Sequence, residues 1–395
     1  MPWKQTNPMN QRTEFVLKAM HTDNFSALCQ EYGISAKTGY KWRKRFIAEG
    51  LNGLKEESRR PKSCSTAVGD EALCEIIRIQ NQHLNWGPRK IRAIYARTHA
   101  SIPSESSFKR ILERAGYTQK RTVRRREESG RLHTDRRAKA PNEIWTVDFK
   151  GWWYGGEGGR CEPLTVRDEF SRYVLDVRAL ADARSQTVRA SFERLFEKHG
   201  LPQAIRSDNG APFAHTRALL GLTGLSAWWL ALGIDLERGR PGCPQDNGAH
   251  ERFHLDIHLD LERNGLGEQQ AQLDEWRRTF NEERPHEALG MKVPAQAYTP
   301  SAQKYAGTPE DLSYERLATR KVQKRGDINW NCAHYFISTA LRGWSVGLEW
   351  ADSDRRNVWF GRLLLGQLDS TTQSFCPAAQ PQKSVPASDA GKEAR

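Results

Sequence analysis

Near the start of the chain, apolar residues recur at helical spacing over Gln11 to Thr22, Phe25 to Tyr32 and Ala36 to Glu49. The last two stretches are separated only by Gly33-Ile34-Ser35, so the pattern predicts a helix-turn-helix unit over residues 10–57. Cys29, Ile34, Trp42 and Phe46 take the inward positions. Lys37, Thr38, Tyr40, Lys41, Arg43, Lys44 and Arg45 fall on the outer face of the third helix, where a DNA major groove would be read. The plainer alternative is a solvated basic helix closing a small bundle.

A polar stretch from Ser58 to Gly69 reads as a linker. Beyond it, Glu71 to His83, Arg89 to Tyr95 and Ser104 to Ala115 repeat the three-helix pattern, giving a second helix-turn-helix-like unit over 70–118. Ser104, after Pro103, is the expected N-cap. Phe108, Ile111 and Leu112 face inward, and Lys109 and Arg110 face outward as candidate DNA contacts. A protein-docking module is the alternative for this unit. Residues 119–140 turn polar and basic, with Arg124, Arg125 and Arg126 in a run, and read as an extended linker that tracks phosphates or merely spaces domains.

From Asn142 the period changes. Ile144 to Trp153, Glu162 to Arg167 and Tyr173 to Ala179 mix β-branched and aromatic residues, predicting three antiparallel strands with a hairpin turn at Gly155 to Gly159. There follow a helix over Ser185 to His199, a strand ending near Ser207, a helix across Leu219 to Leu232, a strand at Ile234 to Glu237 and a helix from Asn247 to Arg263. The order βββαβαβα implies an α/β domain, a mixed sheet with helices on both faces, over 141–300 with a helical segment at Glu268 to Glu283. Residues 315–369 alternate again, with Trp330, Trp344, Trp350 and Trp359 expected in the core of a small β-barrel. Residues 370–395 read as a disordered tail.

Charge sharpens this organisation. The 395 residues carry +13, but residues 1–140 alone hold 29 basic and 14 acidic side chains, or +15, leaving −2 for the rest. A basic front half seeks a polyanion, nucleic acid before an anionic membrane. Mean hydropathy is −0.75, and the most apolar stretch, Leu225 to Ile234, is half the ~20 residues that span a bilayer. Together with a polar N-terminus, this predicts a cytoplasmic protein without a membrane partner. The seven cysteines, 29, 64, 74, 161, 243, 332 and 376, are scattered and read as reduced thiols.

Three acids fall where such a sheet would bring them together: Asp148 in the first strand, Asp208 after the fourth and Glu251 in the helix after the fifth. Hard divalent cations take oxygen ligands, and two ions held ~3.5 to 4 Å apart can serve both sides of a phosphodiester. The stretches Trp145-Thr146-Val147-Asp148-Phe149, Ser207-Asp208-Asn209-Gly210 and Gln245-Asp246-Asn247-Gly248-Ala249-His250-Glu251-Arg252 resemble those of bacterial insertion-sequence transposases, whose core is of the retroviral-integrase, ribonuclease H-like kind. The resemblance spans most of residues 10–368 and implies a DDE triad of Asp148, Asp208 and Glu251 holding two Mg²⁺, with Mn²⁺ as substitute. It implies one-strand hydrolysis at element ends, transfer of the 3′-hydroxyl into target DNA, and at least a dimer on double-stranded DNA. The gap from Asp208 to Glu251, positions 209 to 250, is longer than usual in the family, which leaves an extra segment near Ala214 to Trp229 and makes Asp246 the substitute third acid. Gly242, Pro244, Asn247 and Gly248 place Asp246 in the loop before the helix, which favours Glu251.

Two other readings stand beside this one. His250-Glu251-Arg252-Phe253-His254 matches the His-Glu-x-x-His zinc-peptidase signature, with His258 continuing the spacing. That reading leaves Asp148, Asp208 and the basic front half unused, and three ligands on one straight helix surround an ion poorly. The other is a DNA-binding regulator without catalysis. Asn209, Gly210, Asn247 and Gly248 are turn residues on any reading, while Asn209, Asn247 and His254 are candidates for a supporting role near the phosphate. Trp152, Trp153, Trp228 and Trp229 read as core or subunit-contact aromatics before base-stacking ones.

Overall fold

Three side-chain caps start the N-terminal helices: Asn7 accepts the Met9 N–H, Asn24 that of Ala27 and Ser35 that of Thr38. They open α1 (Pro8–Ala19), α2 (Phe25–Glu31) and α3 (Ala36–Glu49). Phe15, Val16, Leu28, Cys29 and Trp42 form the core, with Ile34 and Phe46 partly buried against it. Gly39 lets α3 approach α2, since a Cβ there would lie 2.6 Å from the Cys29 sulfur. A computed structural model describes residues 7–57, 68–117, 136–154, 159–239, 248–261 and 266–378. It divides into two compact units, residues 1–68 and 69–395.

The second unit begins with α4 (Asp70–Gln82), α5 (Pro88–Tyr95) and α6 (Glu105–Arg114), closed around Ile76, Ile79, Ile91, Phe108 and Leu112. Ser104 caps α6 as expected. The sheet then runs β1 (Ile144–Phe149), β2 (Trp153–Tyr154), β3 (Arg160–Asp168) and β4 (Val174–Leu180), followed by α7 (Ser185–His199), β5 (Ala204–Ser207), α8 (Gly224–Ala231) and β6 (Asp235–Arg238). β3 lies antiparallel to β1 and β4, while β5 lies parallel to β1 and β6. The spatial order is β4-β3-β1-β5-β6, and short β2 continues the β1 edge of β3 across the glycine-rich hairpin, whose residues 155–158 lie outside the described ones.

Alternation along the strands assigns each face. Trp145, Val147, Leu164, Val166 and Ile205 pack on α7 and α8. On the other face, Cys161, Val174 and Val177 pack on α9 (Gly248–Asp260) and α10 (Leu266–Glu282) through Phe253, Ile257, Leu273, Trp276 and Phe280. Helices therefore cover both faces. The three-helix bundle is tied to α9, where Asn85 donates to the Leu259 carbonyl and the Asp260 carboxylate.

The expected helix across Leu219 to Leu232 is broken. Residues Leu219–Gly221 form a single 3₁₀ turn, Leu220 and Gly221 adopt positive φ, and Thr223 restarts the chain as a capping box with Ser226. α8 is apolar on nearly every side because it is shared: Leu225, Trp228 and Trp229 enter the sheet core, while Ala227 and Ala231 enter the core of the C-terminal domain. That domain comprises β7 (Ala318–Lys321), β8 (Asp327–Trp330), β9 (Ala333–Phe336), β10 (Ser345–Trp350), β11 (Arg355–Phe360), β12 (Leu363–Asp369) and β13 (Ser374–Pro377).

The β-rich C-terminal region departs from expectation in three ways. Among the described residues its strands form an open antiparallel sheet, β13-β12-β11-β10-β7, beside a β8-β9 hairpin, so the ladder does not close into a ring. β13 lies in the stretch expected to be tail, because Ser374 to Pro377 complete the edge of β12; residues 379–395 lie outside the described ones. Of the four tryptophans expected in the core, Trp350 is 66% exposed with the Arg356 guanidinium 3.9 Å from its ring centroid, and Trp330, Trp344 and Trp359 are only half-buried.

Trp228 and Trp229 are both 1% exposed, but among the described residues only the Trp228 indole N–H finds a partner, the Thr308 hydroxyl at 2.8 Å. Trp228→Phe should therefore destabilise the second unit by roughly 1–2 kcal/mol more than Trp229→Phe, since the latter removes an unsatisfied donor. Urea unfolding followed by circular dichroism measures the difference.

Candidate functional site

Asp148 lies two residues past Thr146, and Thr146 is the register partner of Arg206 on parallel β5. Asp208 lies two residues past Arg206, so the period of two brings both acids to neighbouring strand ends on the face covered by α9. The Asp208 side chain is open to solvent on one side and flanked by protein on the other; its surroundings raise its pKa, opposed by the Gly210 backbone N–H. Gly210 leaves room there, since a Cβ would come within 2.8 Å of the Asp208 Oδ2 and displace that carboxylate. Asn209 donates 2.7 Å to the Gly239 carbonyl, tying the loop after β5 to the end of β6.

A hydroxyl fixes α9 over this point. Thr165 on β3 is the register partner of Asp148, and its Oγ donates 2.8 Å to the Asp148 carbonyl. The Nε2 atoms of His250 and His254 lie 2.8 and 2.9 Å from the same oxygen. All three contacts are satisfied when both imidazoles are neutral and carry their proton on Nε2. Burial favours the neutral forms, pulling His250 well below its usual range and His254 down to about 3, with Arg167 adding repulsion in both cases. Among the described residues the buried His250 Nδ1 has no partner.

Glu251 follows His250 in the first turn of α9, and its side chain is exposed. The chain thus brings the backbones of all three acids to one end of one sheet face. Among the described residues, however, no three acidic, imidazole or thiol side chains are gathered closely enough to hold an ion. Asp246 and Asn247 lie outside the described residues. The donor set suits a hard divalent cation: its groups are carboxylates, and Asp208 has no cationic side chain paired to it among the described residues. The zinc-peptidase arrangement finds no support in the histidines, because both Nε2 atoms are committed to Thr165 while His258 is exposed.

Of the candidate DNA contacts, Lys37, Lys41 and Lys44 are exposed on α3. Thr38 closes the N-cap with Ser35, Tyr40 stacks on Phe25 at 4.3 Å, Arg43 lies over the same ring, and Arg45 pairs with Glu57. Lys109 is exposed and reaches Glu113 at 3.8 Å, and Arg110 donates to the Ser106 carbonyl. Arg124, Arg125 and Arg126 lie outside the described residues. Arg136, at the end of the basic stretch, is instead attached to the core through Glu237, Asp235 and Gln203. Trp152 is 55% exposed, whereas Trp153 is buried.

Sequence reasoning missed Thr165. The available signal was a hydroxyl residue between Leu164 and Val166, in the apolar middle of the strand that pairs with the first acid.

The comparisons with known proteins agree with this architecture. Models described as "Integrase core domain" match residues 138–244 and 232–294, a "Helix-turn-helix domain" model matches 11–62 and a "Homeodomain-like domain" model matches 38–112. An uncharacterized 31.7 kDa protein of insertion element IS407 from Burkholderia multivorans is 28% identical over 232 residues, covering 56% of this chain and 78% of the relative. The chain is an insertion-sequence transposase homologue with an integrase core. An uncharacterized 39.2 kDa protein of insertion element IS476 from Xanthomonas euvesicatoria is 25% identical, covering 62% of this chain and 70% of its own length. Among solved structures, the HTLV-2 integrase catalytic core domain in complex with magnesium aligns over 41% of this chain and all of its own, at 18% identity and a TM-score of 0.31. The simian T-cell lymphotropic virus intasome in complex with the PP2A subunit B56 gamma aligns over 62% of this chain and 81% of the matched chain, at 17% identity and a TM-score of 0.34.

Two predictions test the hydroxyl junction of this transposase homologue. Thr165→Val strands two imidazole N–H groups and a carbonyl and should cost roughly 2–4 kcal/mol in chemical denaturation, whereas Thr165→Ser should stay within about 1 kcal/mol. Because the folded state depresses the His250 and His254 pKa values, the unfolded chain binds more protons below its own histidine pKa of ~6.5. Stability is therefore complete above that pH and should fall as pH drops towards 4, which the thermal midpoint of a pH series measures. His254→Gln should flatten the slope.

Proposed function

We infer that the protein is a DDE transposase: its helix-turn-helix units bind the ends of a mobile element, and its ribonuclease H-like core cuts one strand and joins the freed 3′-hydroxyl to target DNA. The observation that carries this reading is the register that sets Asp148 beside Asp208, on the face where α9 presents Glu251. Asp148, Asp208 and Glu251 would hold two Mg²⁺, with Asp246 the substitute third ligand and Mn²⁺ an alternative ion. Bound ions of this kind activate a water or hydroxyl and stabilise the leaving oxygen of an in-line phosphoryl transfer.

The chain's own residues do the positioning. Asp148 on rigid β1 and Asp208 just beyond the end of β5 would supply two short carboxylates, and the longer Glu251 would reach from a helix clamped through His250 and His254 to the strand that pairs with Asp148. Gly210 keeps space beside the Asp208 carboxylate. Arg167, 5% exposed, donates to the Thr146 hydroxyl and supplies a buried positive charge under the same face. Lys37, Lys41 and Lys44 offer exposed charges to a DNA groove, with Lys109, Arg110 and the run Arg124 to Arg126 as further contacts. Holding two element ends together calls for at least a dimer. No helix among the described residues is long and apolar enough to cross a membrane, which accords with a cytoplasmic, nucleoid-associated protein.

Incubation of the full chain with Mg²⁺ and labelled DNA carrying the element ends should give nicked and joined products. Asp208→Ala should retain binding and yield none. DNA binding by the wild type without any nicking or joining on those ends would instead establish a catalytically silent DNA-binding protein.

A further inference from the structure

The bundle of α4 to α6 and the integrase core enclose a cleft of about 1250 Å³, open to solvent, on the side of α9 away from the sheet. It is lined by the start of α5, by α6, by the residues of α9 next to Glu251 and by the loop after α10. Its acids are already engaged. Glu105 and Glu287 both pair with Arg89, Glu113 is reached by Lys109, and Asp256 takes Arg252 at 3.3 Å and Arg284 at 2.7 Å.

The cations are not all matched. Lys90 is half-buried in the first turn of α5; its ammonium makes no hydrogen bond or ion pair among the described residues, and it faces Arg284 and Arg252 as well as Asp256 and Glu287. Burial, followed by repulsion from Arg284, pulls its ammonium down to about 8. Among the described residues, Arg284, 4% exposed, has no acceptor for its Nε, although two of its other nitrogens lie near Asp256 and Asp260, and the buried His286 Nε2 beside it has no partner. An anion with several acceptor oxygens seated in the cleft would pair with Lys90 and Arg252 and offset the repulsion between Lys90 and the two arginines. The first turn of α5, with Pro88 at its start, adds the positive end of a helix dipole.

We propose that this cleft grips the sugar-phosphate backbone of DNA, with Lys90 and Arg252 as the phosphate contacts and Arg284 as a buried charge behind them. The inference rests on the transposase reading and adds to it a named place where the substrate strand is held. Arg252 adjoins Glu251 in sequence, so a strand seated in the cleft would run beside α9 towards the acids. The site carries no sequence information, since it offers charge to phosphates and no groups aimed at base edges.

The test uses the full wild-type chain and a DNA duplex of arbitrary sequence. Lysines are acetylated with an N-hydroxysuccinimide ester near neutral pH, with and without saturating duplex, and the modified positions are read by mass spectrometry. Lys90 should react readily in the free protein and be protected in the complex. In parallel, Lys90→Gln/Arg252→Gln should lower the slope of log Kd against log salt by about 1.8, from about 0.9 for each lost phosphate contact. Duplex bound while Lys90 reacts at its free rate would overturn the cleft and leave the transposase reading standing. Protection with an unchanged salt slope would also overturn it, since closure rather than charge contact would then be shielding Lys90. Failure of the chain to bind any duplex would remove both.

Discussion

The site depends on one hydroxyl oxygen. Thr165 is tied by hydrogen bonds to the carbonyl of Asp148 on one strand and to two imidazoles four residues apart on a helix, filling all three of its hydrogen-bonding positions. The junction converts sheet register into the placement of a helix. A one-residue slip of β3 against β1 would turn Thr165 to the opposite face, leave both histidines buried without partners and detach the helix carrying Glu251. The apolar contacts of Phe253 and Ile257 hold α9 to the sheet, but they are non-directional and would tolerate a sliding helix. The hydroxyl is the contact that fixes where along the sheet the helix begins.

The same helix is held from behind. Asn85 grips its last turn, and Arg284, itself locked by Asp256, joins it to the segment after α10. Both neighbours of Glu251 are thereby engaged, His250 with the sheet and Arg252 with Asp256, while the Glu251 side chain remains exposed between them. A rigid backbone with an exposed carboxylate is suited to a ligand that arrives with the substrate, because the loss of freedom on binding is confined to one side chain.

Much of this was legible in the chain. The six α-helices of the two bundles and α7 were outlined by apolar spacing to within a few residues, and the succession of strands and helices along the chain followed from the runs of β-branched and aromatic residues. Asp148, Asp208 and Glu251 stood out because three separate turn and strand signals pointed to the same end of one sheet. What escaped notice was set by contacts between distant segments. The break at Leu220 and Gly221 has no periodic signal, since α8 serves two cores and shows no polar face; Thr223 and Ser226, which restart the helix, are the only polar side chains in the stretch. Trp350 was expected inside because tryptophan usually is, yet Arg356 supplies its cover at the surface. Thr165 and Lys90 are single residues whose meaning appears only once β3 meets α9 and α5 meets the loop after α10.

The sharing of α8 between the sheet core and the C-terminal strands reaches further than packing. Its two sides cannot diverge independently: an exchange of the C-terminal strands with those of a relative would have to carry α8, and with it the tryptophans under the sheet, or leave mismatched surfaces on both sides. Recombination within this lineage is thus expected to move residues from the end of β5 to the close of β13 as one heritable block, while the N-terminal unit, with a hydrophobic core of its own, can be traded freely for another DNA-reading head.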